Sequence, residues 1–176
     1  MTKMMSLNGQ WHYTLVANVI LTPEGPKDDT TNLPAGGEMT IPTNWQLGGL
    51  NNFHGRVRFE RTFSFDERPS EGESVWLVFR GVDYYAQVWL NGQALGGHEG
   101  YFQPFSFDVT HLLTSGDNTL VVDVSCPKEE AGTVWPHNKI MLKGVLSHWD
   151  CRPGSWHLET GQDMNSGGIW HDVFLL

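Results

Sequence analysis

An all-β sandwich of jelly-roll type is the fold this sequence predicts, and three observations predict it. Helical periodicity is almost absent along the chain. Short stretches of alternating apolar and polar residues recur about every ten residues, separated by Gly, Pro, Asn and Asp, which is the spacing of an antiparallel sandwich. Asn91-Gly92 lies between two such stretches, and an Asn-Gly pair supplies the two left-handed positions of a two-residue hairpin loop.

The predicted strands in chain order are 11–16, 38–41, 57–65, 75–80, 85–90, 106–109, 119–124 and 169–175. In the fourth, Val75, Leu77 and Phe79 alternate with outward positions; the fifth runs directly into Asn91-Gly92, and a short strand and a glycine-rich corner come next. In the third, Val57, Phe59, Phe63 and Phe65 face inward, and Arg61 shares their parity. An inward arginine needs a bulge or a buried carboxylate, and an ion pair is the expectation here. Residues 22–37, with Pro23, Gly25, Pro26, Asp28, Asp29, Pro34, Gly36 and Gly37, read as a solvated excursion. Residues 108–113 read as one helical turn before the Gly116-Asp-Asn118 turn. Trp11, Trp76, Trp89 and Trp170 sit within alternating strands and are expected in the core or half-buried. The long stretch 125–168 lacks strand alternation yet holds Trp135, Trp149, Trp156, Ile140, Met141, Leu142, Val145 and Leu146. It is too apolar for disorder and reads as one long functional loop near the C-terminus.

Composition narrows the classes of function. At 176 residues the chain reads as a single domain, 1–176, large enough to remove about 70% of its unfolded surface from water. Two cysteines, Cys126 and Cys151, are too few for a disulfide framework and read as reduced thiols. A formal net charge of −9 disfavours phosphate backbones, so nucleic acid is not an expected partner. The opening residues lack the apolar core of a signal peptide, and no run of about 18 apolar residues occurs, so no membrane partner is expected and a cytoplasmic location is. The 8 tryptophans also suit carbohydrate, because the C–H faces of pyranose rings pack on flat indoles.

Five segments in order carry a resemblance. Leu7-Asn-Gly-Gln-Trp11, Ile41-Pro-Thr-Asn-Trp45, Gly55-Arg-Val-Arg-Phe-Glu-Arg-Thr-Phe63, the 75–110 stretch with Asn91-Gly92 at its centre, and Ser166-Gly-Gly-Ile-Trp-His-Asp-Val173 resemble the N-terminal sugar-binding domain of glycoside hydrolase family 2, the group of β-galactosidases, β-glucuronidases and β-mannosidases. Residues 17–37 lie outside that resemblance. The resemblance implies a galactose-binding-domain-like sandwich that is not catalytic alone. In the family both catalytic glutamates belong to a barrel that comes after this domain and an immunoglobulin-like one. Such a barrel takes about 250 residues. Glycoside hydrolysis needs two carboxylates flanking one bond, and spacing singles out no such pair here. The chain therefore reads as a fragment of a larger enzyme, with those later domains and a carbohydrate as its partners.

The resemblance also implies site residues. His148-Trp-Asp-Cys-Arg-Pro153 is similar to the Trp-Asp-x-x-Pro loop of β-mannosidases, which places its aspartate near the sugar. Gln162-Asp-Met164 is similar to the Gln-Asp-Met of β-galactosidases, whose aspartate lies at the substrate's primary hydroxyl and helps to hold sodium. Asn52 matches an asparagine of the same β-galactosidase site. The substrate-binding candidates are thus Asn52, Trp149, Asp150, Arg152 and Asp163, and the mixture of signatures leaves the sugar open. Each has an alternative: Asp163 as a turn acceptor, Asp150 as a surface pair with Arg152. The whole domain could only buttress its neighbours, or could bind glycans as a free-standing lectin-like module. His148 and Cys151, joined by His157 and His171, have one arm of zinc spacing but no second arm, so no zinc is expected. No organic cofactor is implied; a structural calcium or sodium ion in a loop is the ion such a sandwich would take.

Overall fold

A computed structural model describes residues 4–67, 69–129, 141–143 and 166–176, together with the backbone of 156–157 and 161–162. Its strands are β1 Met5–Ser6, β2 Gly9–Thr22, β3 Gly25–Asp29, β4 Gly37–Ile41, β5 Gly55–Phe65, β6 Trp76–Phe79, β7 Tyr85–Leu90, β8 Gln93–Glu99, β9 Phe105–Asp108, β10 Gly116–Cys126, β11 Lys128–Glu129, β12 Trp156–His157, β13 Gly161–Gln162 and β14 Val173–Leu175. Among the described residues there is no helix. The predicted sandwich is present: a four-stranded sheet ordered β1-β14-β6-β9 and an eight-stranded one ordered β11-β2-β5-β10-β7-β8, on which β3 and β4 also pair with β2.

Alternation builds the core. Val57, Phe59, Phe63 and Phe65 of β5, Leu120, Val122 and Val124 of β10, and Ala86, Val88 and Leu90 of β7 are all buried and meet Leu77, Phe79, Val173 and Leu175 of the other sheet. Burial of each large apolar side chain contributes about 1.5–3 kcal/mol. β5 and β10 pair over eleven residues, from Gly116 opposite Phe65 to Cys126 opposite Gly55. The Asn-Gly hairpin loop forms as expected: Asn91 and Gly92 have φ of 51° and 81°, and Leu90 pairs Gln93. The Asn91 side chain ties that loop to the next turn through Leu112 O, Asn118 Oδ1 and Thr119 N. The helical turn after β9 is also there, with the Leu112 and Leu113 amides on Val109 O.

Four expectations need correction. The excursion at 22–37 is solvated, but β2 runs on to Thr22 and β3 folds back on it as a hairpin from Asn18–Asp29 to Thr22–Gly25. Arg61 is not a buried ion pair. It is only partly buried, it donates to the Gln10 carbonyl, and it has no carboxylate partner among the described residues. A backbone acceptor at the rim sufficed where a carboxylate was expected. Trp76 is 40% exposed, because its parity in β6 points it out of the four-stranded sheet. The last strand is shorter than expected, since only residues 173–175 form it and Gly168 makes an isolated bridge to Asp83.

Candidate functional site

Asn52 is the candidate residue that falls within the described structure, and it lies beside the buried Trp45 at one end of the sandwich. Asn52 is exposed in a tight turn, with a φ of 56° that asparagine tolerates better than most side chains. Phe53, the next residue, anchors the turn: it is buried and packs edge-on against Trp45, ring centroids 5.6 Å apart. Trp45, wholly buried, donates its backbone N–H to Gly167 O at 2.8 Å, and Thr43 donates to Ile169 O at 2.9 Å. The turn carrying Asn52 and residues 166–168, three to five positions beyond Asp163 in sequence, therefore share one tryptophan. Gly167 is glycine for a steric reason: a Cβ there would come under 3.0 Å from three ring atoms of Trp45.

Trp149, Asp150, Arg152 and Asp163 lie outside the described residues, as do His148 and Cys151. Of the expected site only Asn52 is placed. His171 lies beside Asp172, its Nδ1 3.5 Å from Oδ2. Among the described residues no group of three or more His, Cys, Asp or Glu could hold a metal ion.

Sequence reasoning missed a buried polar cluster at this same end. Asp83 and Lys143 are 0% and 1% exposed, a rare state for either side chain unless it is paired. The Lys143 ammonium lies 3.2 and 3.3 Å from the two Asp83 oxygens. It donates to Ser166 O at 2.7 Å and to Cys126 Sγ at 2.5 Å. The Ser166 hydroxyl donates to Asp83 Oδ2 at 2.5 Å, and the Cys126 thiol lies 2.9 Å from Ser166 O. Burial alone would lower the Lys143 pKa, but the Cys126 sulfur and the Asp83 carboxylate outweigh it and hold the ammonium above the ordinary lysine value. The signal was available: Lys143 closes the apolar run Ile140-Met-Leu, and Asp83 interrupts an apolar stretch after Gly81.

The neighbours of this cluster are equally specific. The Met141 amide donates to Glu129 Oε1 at 3.1 Å, and Met141 is buried. Gly168 and Asp83 exchange both backbone hydrogen bonds, at 2.9 and 3.0 Å. His54, two residues after Asn52, is pushed down to about 4 by burial and then by the charges of Lys128 and Lys143. Tyr101 stacks on Trp170 with centroids 4.5 Å apart, and Gly81 leaves room for that indole.

A groove of about 560 Å³ lies on the outer face of the large sheet, with Arg56, Tyr85, Gln87, Asp123 and Ser125 in its wall. Its charges are matched: Arg56 pairs with Asp28 at 3.0 Å, and Arg58 grips Asp123 with two bonds of 2.7 and 2.8 Å.

Comparison with known proteins agrees with this architecture. Residues 52–170 match the family model described as "Glycosyl hydrolase 2 galactose-binding domain-like". Beta-galactosidase from Oenococcus oeni is 30% identical over 138 residues, 68% of this chain and 13% of that protein. Beta-mannosidase B from Emericella nidulans is 27% identical over 165 residues, 87% of this chain and 19% of that protein. Among solved structures, the beta-glucuronidase of Bifidobacterium dentium complexed with coumarin-3-O-glucuronide superposes with a TM-score of 0.64 at 24% identity, over 98% of this chain and 29% of that one. At that identity the likeness is one of fold. The chain thus spans less than a third of each of these proteins.

Proposed function

The chain belongs to the glycosyl hydrolase 2 galactose-binding domain-like family, and from that premise we propose that it is a carbohydrate-binding, non-catalytic unit that lends loop residues to the sugar pocket of a larger β-glycosidase. It corresponds to the N-terminal domain of family 2 glycosidases rather than to their catalytic domain. In this reading Asn52, Trp149, Asp150, Arg152 and Asp163 face the sugar, while immunoglobulin-like and barrel domains later in the polypeptide supply the catalytic carboxylates. The observation that supports it is the convergence of the Asn52 turn and residues 166–168 on Trp45: two segments distant in sequence reach one end of the fold, where a shared ligand can meet both.

A carboxylate that accepts a sugar hydroxyl in a desolvated pocket contributes about 1.5–3 kcal/mol. In a longer polypeptide with glycosidase activity, Asp150→Asn or Asp163→Asn is therefore expected to lower kcat/KM at least about tenfold, the rate equivalent of about 1.4 kcal/mol of transition-state binding. The melting temperature of the 176-residue chain should barely move. Full activity with a melting point several degrees lower would make both aspartates turn-formers and refute the reading. The 176-residue chain itself should release no nitrophenol from aryl β-glycosides above buffer.

The outer groove with Tyr85, Gln87 and Arg56 supports a second reading, a sandwich that binds glycans independently. Titration calorimetry of the chain with galactose, mannose and glucuronic acid separates the two, since only the second gives heat without the rest of an enzyme.

A further inference from the structure

Residues 141–143 and 166–168 belong to no strand, yet both are held through one buried group. In the first, Met141 points inward, Leu142 is 57% exposed and Lys143 points inward again. Apolar burial does not by itself select that register. A slip of one residue would exchange Met141 for Leu142 in the interior, and the two gain similar amounts from burial. The ammonium does select it. Three N–H donors of Lys143 meet three acceptors on three separate parts of the chain, Asp83, Cys126 and Ser166 O, and a slip would carry all three out of reach. On the second segment Ser166 answers the same carboxylate with its hydroxyl, and Gly168 pairs with the Asp83 backbone. A single aspartate thus receives both segments.

We propose that Asp83, Lys143 and Ser166 are positioning residues, a charged clasp that sets one register for 141–143 and 166–168. Those segments flank in sequence the stretch bearing Trp149, Asp150, Arg152 and Asp163. The clasp rests on the proposed sugar-pocket role only for what that stretch does. A buried ion pair is poor evidence of stability, because uncharged groups of similar volume often do as well; its best-attested use is to exclude alternative registers. The apolar environment and the full set of directional partners fit that use.

Hydrogen exchange on the 176-residue chain tests it, with the double variant Asp83→Asn/Lys143→Met and the single variant Ser166→Ala. The double variant is expected to melt within a few degrees of wild type while the Met141 and Gly168 amides exchange at least tenfold faster and those of β5 and β10 stay unchanged. Ser166→Ala, which keeps the ion pair, is expected to accelerate the Gly168 amide at least threefold and to leave Met141 alone. If the double variant does not fold, Ser166→Ala alone decides. Unchanged exchange at both segments would overturn the proposal, as would acceleration of every amide in parallel with a fall in melting temperature, the behaviour of ordinary core packing. In a longer polypeptide with glycosidase activity, faster exchange with lower kcat/KM supports both clasp and pocket. Faster exchange with unchanged kcat/KM keeps the clasp and removes the pocket.

Discussion

Gly167→Ala tests the close approach on which the candidate site is built. The added methyl would fall under 3.0 Å from three ring atoms of Trp45, whereas carbon atoms in contact settle at about 3.5–4.0 Å. Something must withdraw by more than about 1 Å to restore that contact distance. Trp45 is fully buried with Phe53 against its face, so the backbone of 166–168 is the part that gives. Overpacking of this kind costs about 1–3 kcal/mol. Displacing the Trp45–Gly167 and Gly168–Asp83 backbone bonds adds about 1 kcal/mol for each bond lost. A total of about 3 kcal/mol corresponds to roughly 6–12 °C in a domain of this size. Thermal unfolding monitored by circular dichroism measures it. Gly37→Ala is the control, since its Cβ would meet only Tyr13, at an ordinary 3.4 Å. In the Trp45→Leu background the penalty of Gly167→Ala should shrink, a coupling that distant residues do not show. If Gly167→Ala melts within about 2 °C of wild type, the approach of chain to indole is not what positions this segment.

His54, which is partly buried, and Asn118 give two further expected outcomes. His54 is lowered to about 4 by burial, then by Lys128 and Lys143, while the unfolded imidazole takes its proton near 6.5. The neutral native form therefore contributes fully above about pH 6.5, and its contribution is lost as pH falls toward about 4, up to roughly 3 kcal/mol. Urea midpoints at pH 7.5 and pH 4.5 should show His54→Asn losing less across that interval than wild type, and equal losses would contradict the assignment. Asn118 is fully buried; its amide donates to Thr114 O and Gly116 O, and its oxygen accepts from Thr114 N and Asn91 Nδ2. Asn118→Asp puts carboxylate oxygen against two carbonyls and should cost at least about 3 kcal/mol; a melting point within about 3 °C of wild type would show that the turn adapts.

The fold was legible because alternation is a local property. Each apolar position of β5, β7 and β10 declares its face without reference to any partner, and Asn91-Gly92 declares its loop. The errors arose where a partner decides the outcome. Asp28 and Asp29 look like solvated loop residues, and they are exposed, but pairing with β2 turns their segment into a strand. Arg61 has inward parity, yet the Gln10 carbonyl at the rim accepts its guanidinium, and nothing in a single strand's pattern announces a backbone acceptor from its neighbour.

The site was less legible for the same reason at longer range. Asn52 could be named only through a family resemblance, because a left-handed asparagine in a turn looks like any other turn residue. Lys143 could have been noticed, since a lysine at the end of an apolar run is either a surface gatekeeper or a buried charge. To choose between these requires knowledge of Asp83, sixty residues earlier, and of Ser166, twenty-three residues later. Neither is marked by spacing. A buried charge is tolerated in a sandwich only where several distant groups meet it at once, so such a charge reports tertiary structure and not local sequence. For that reason a buried aspartate and lysine at the point where two irregular segments meet say more about how the candidate site is held than any motif within the segments themselves.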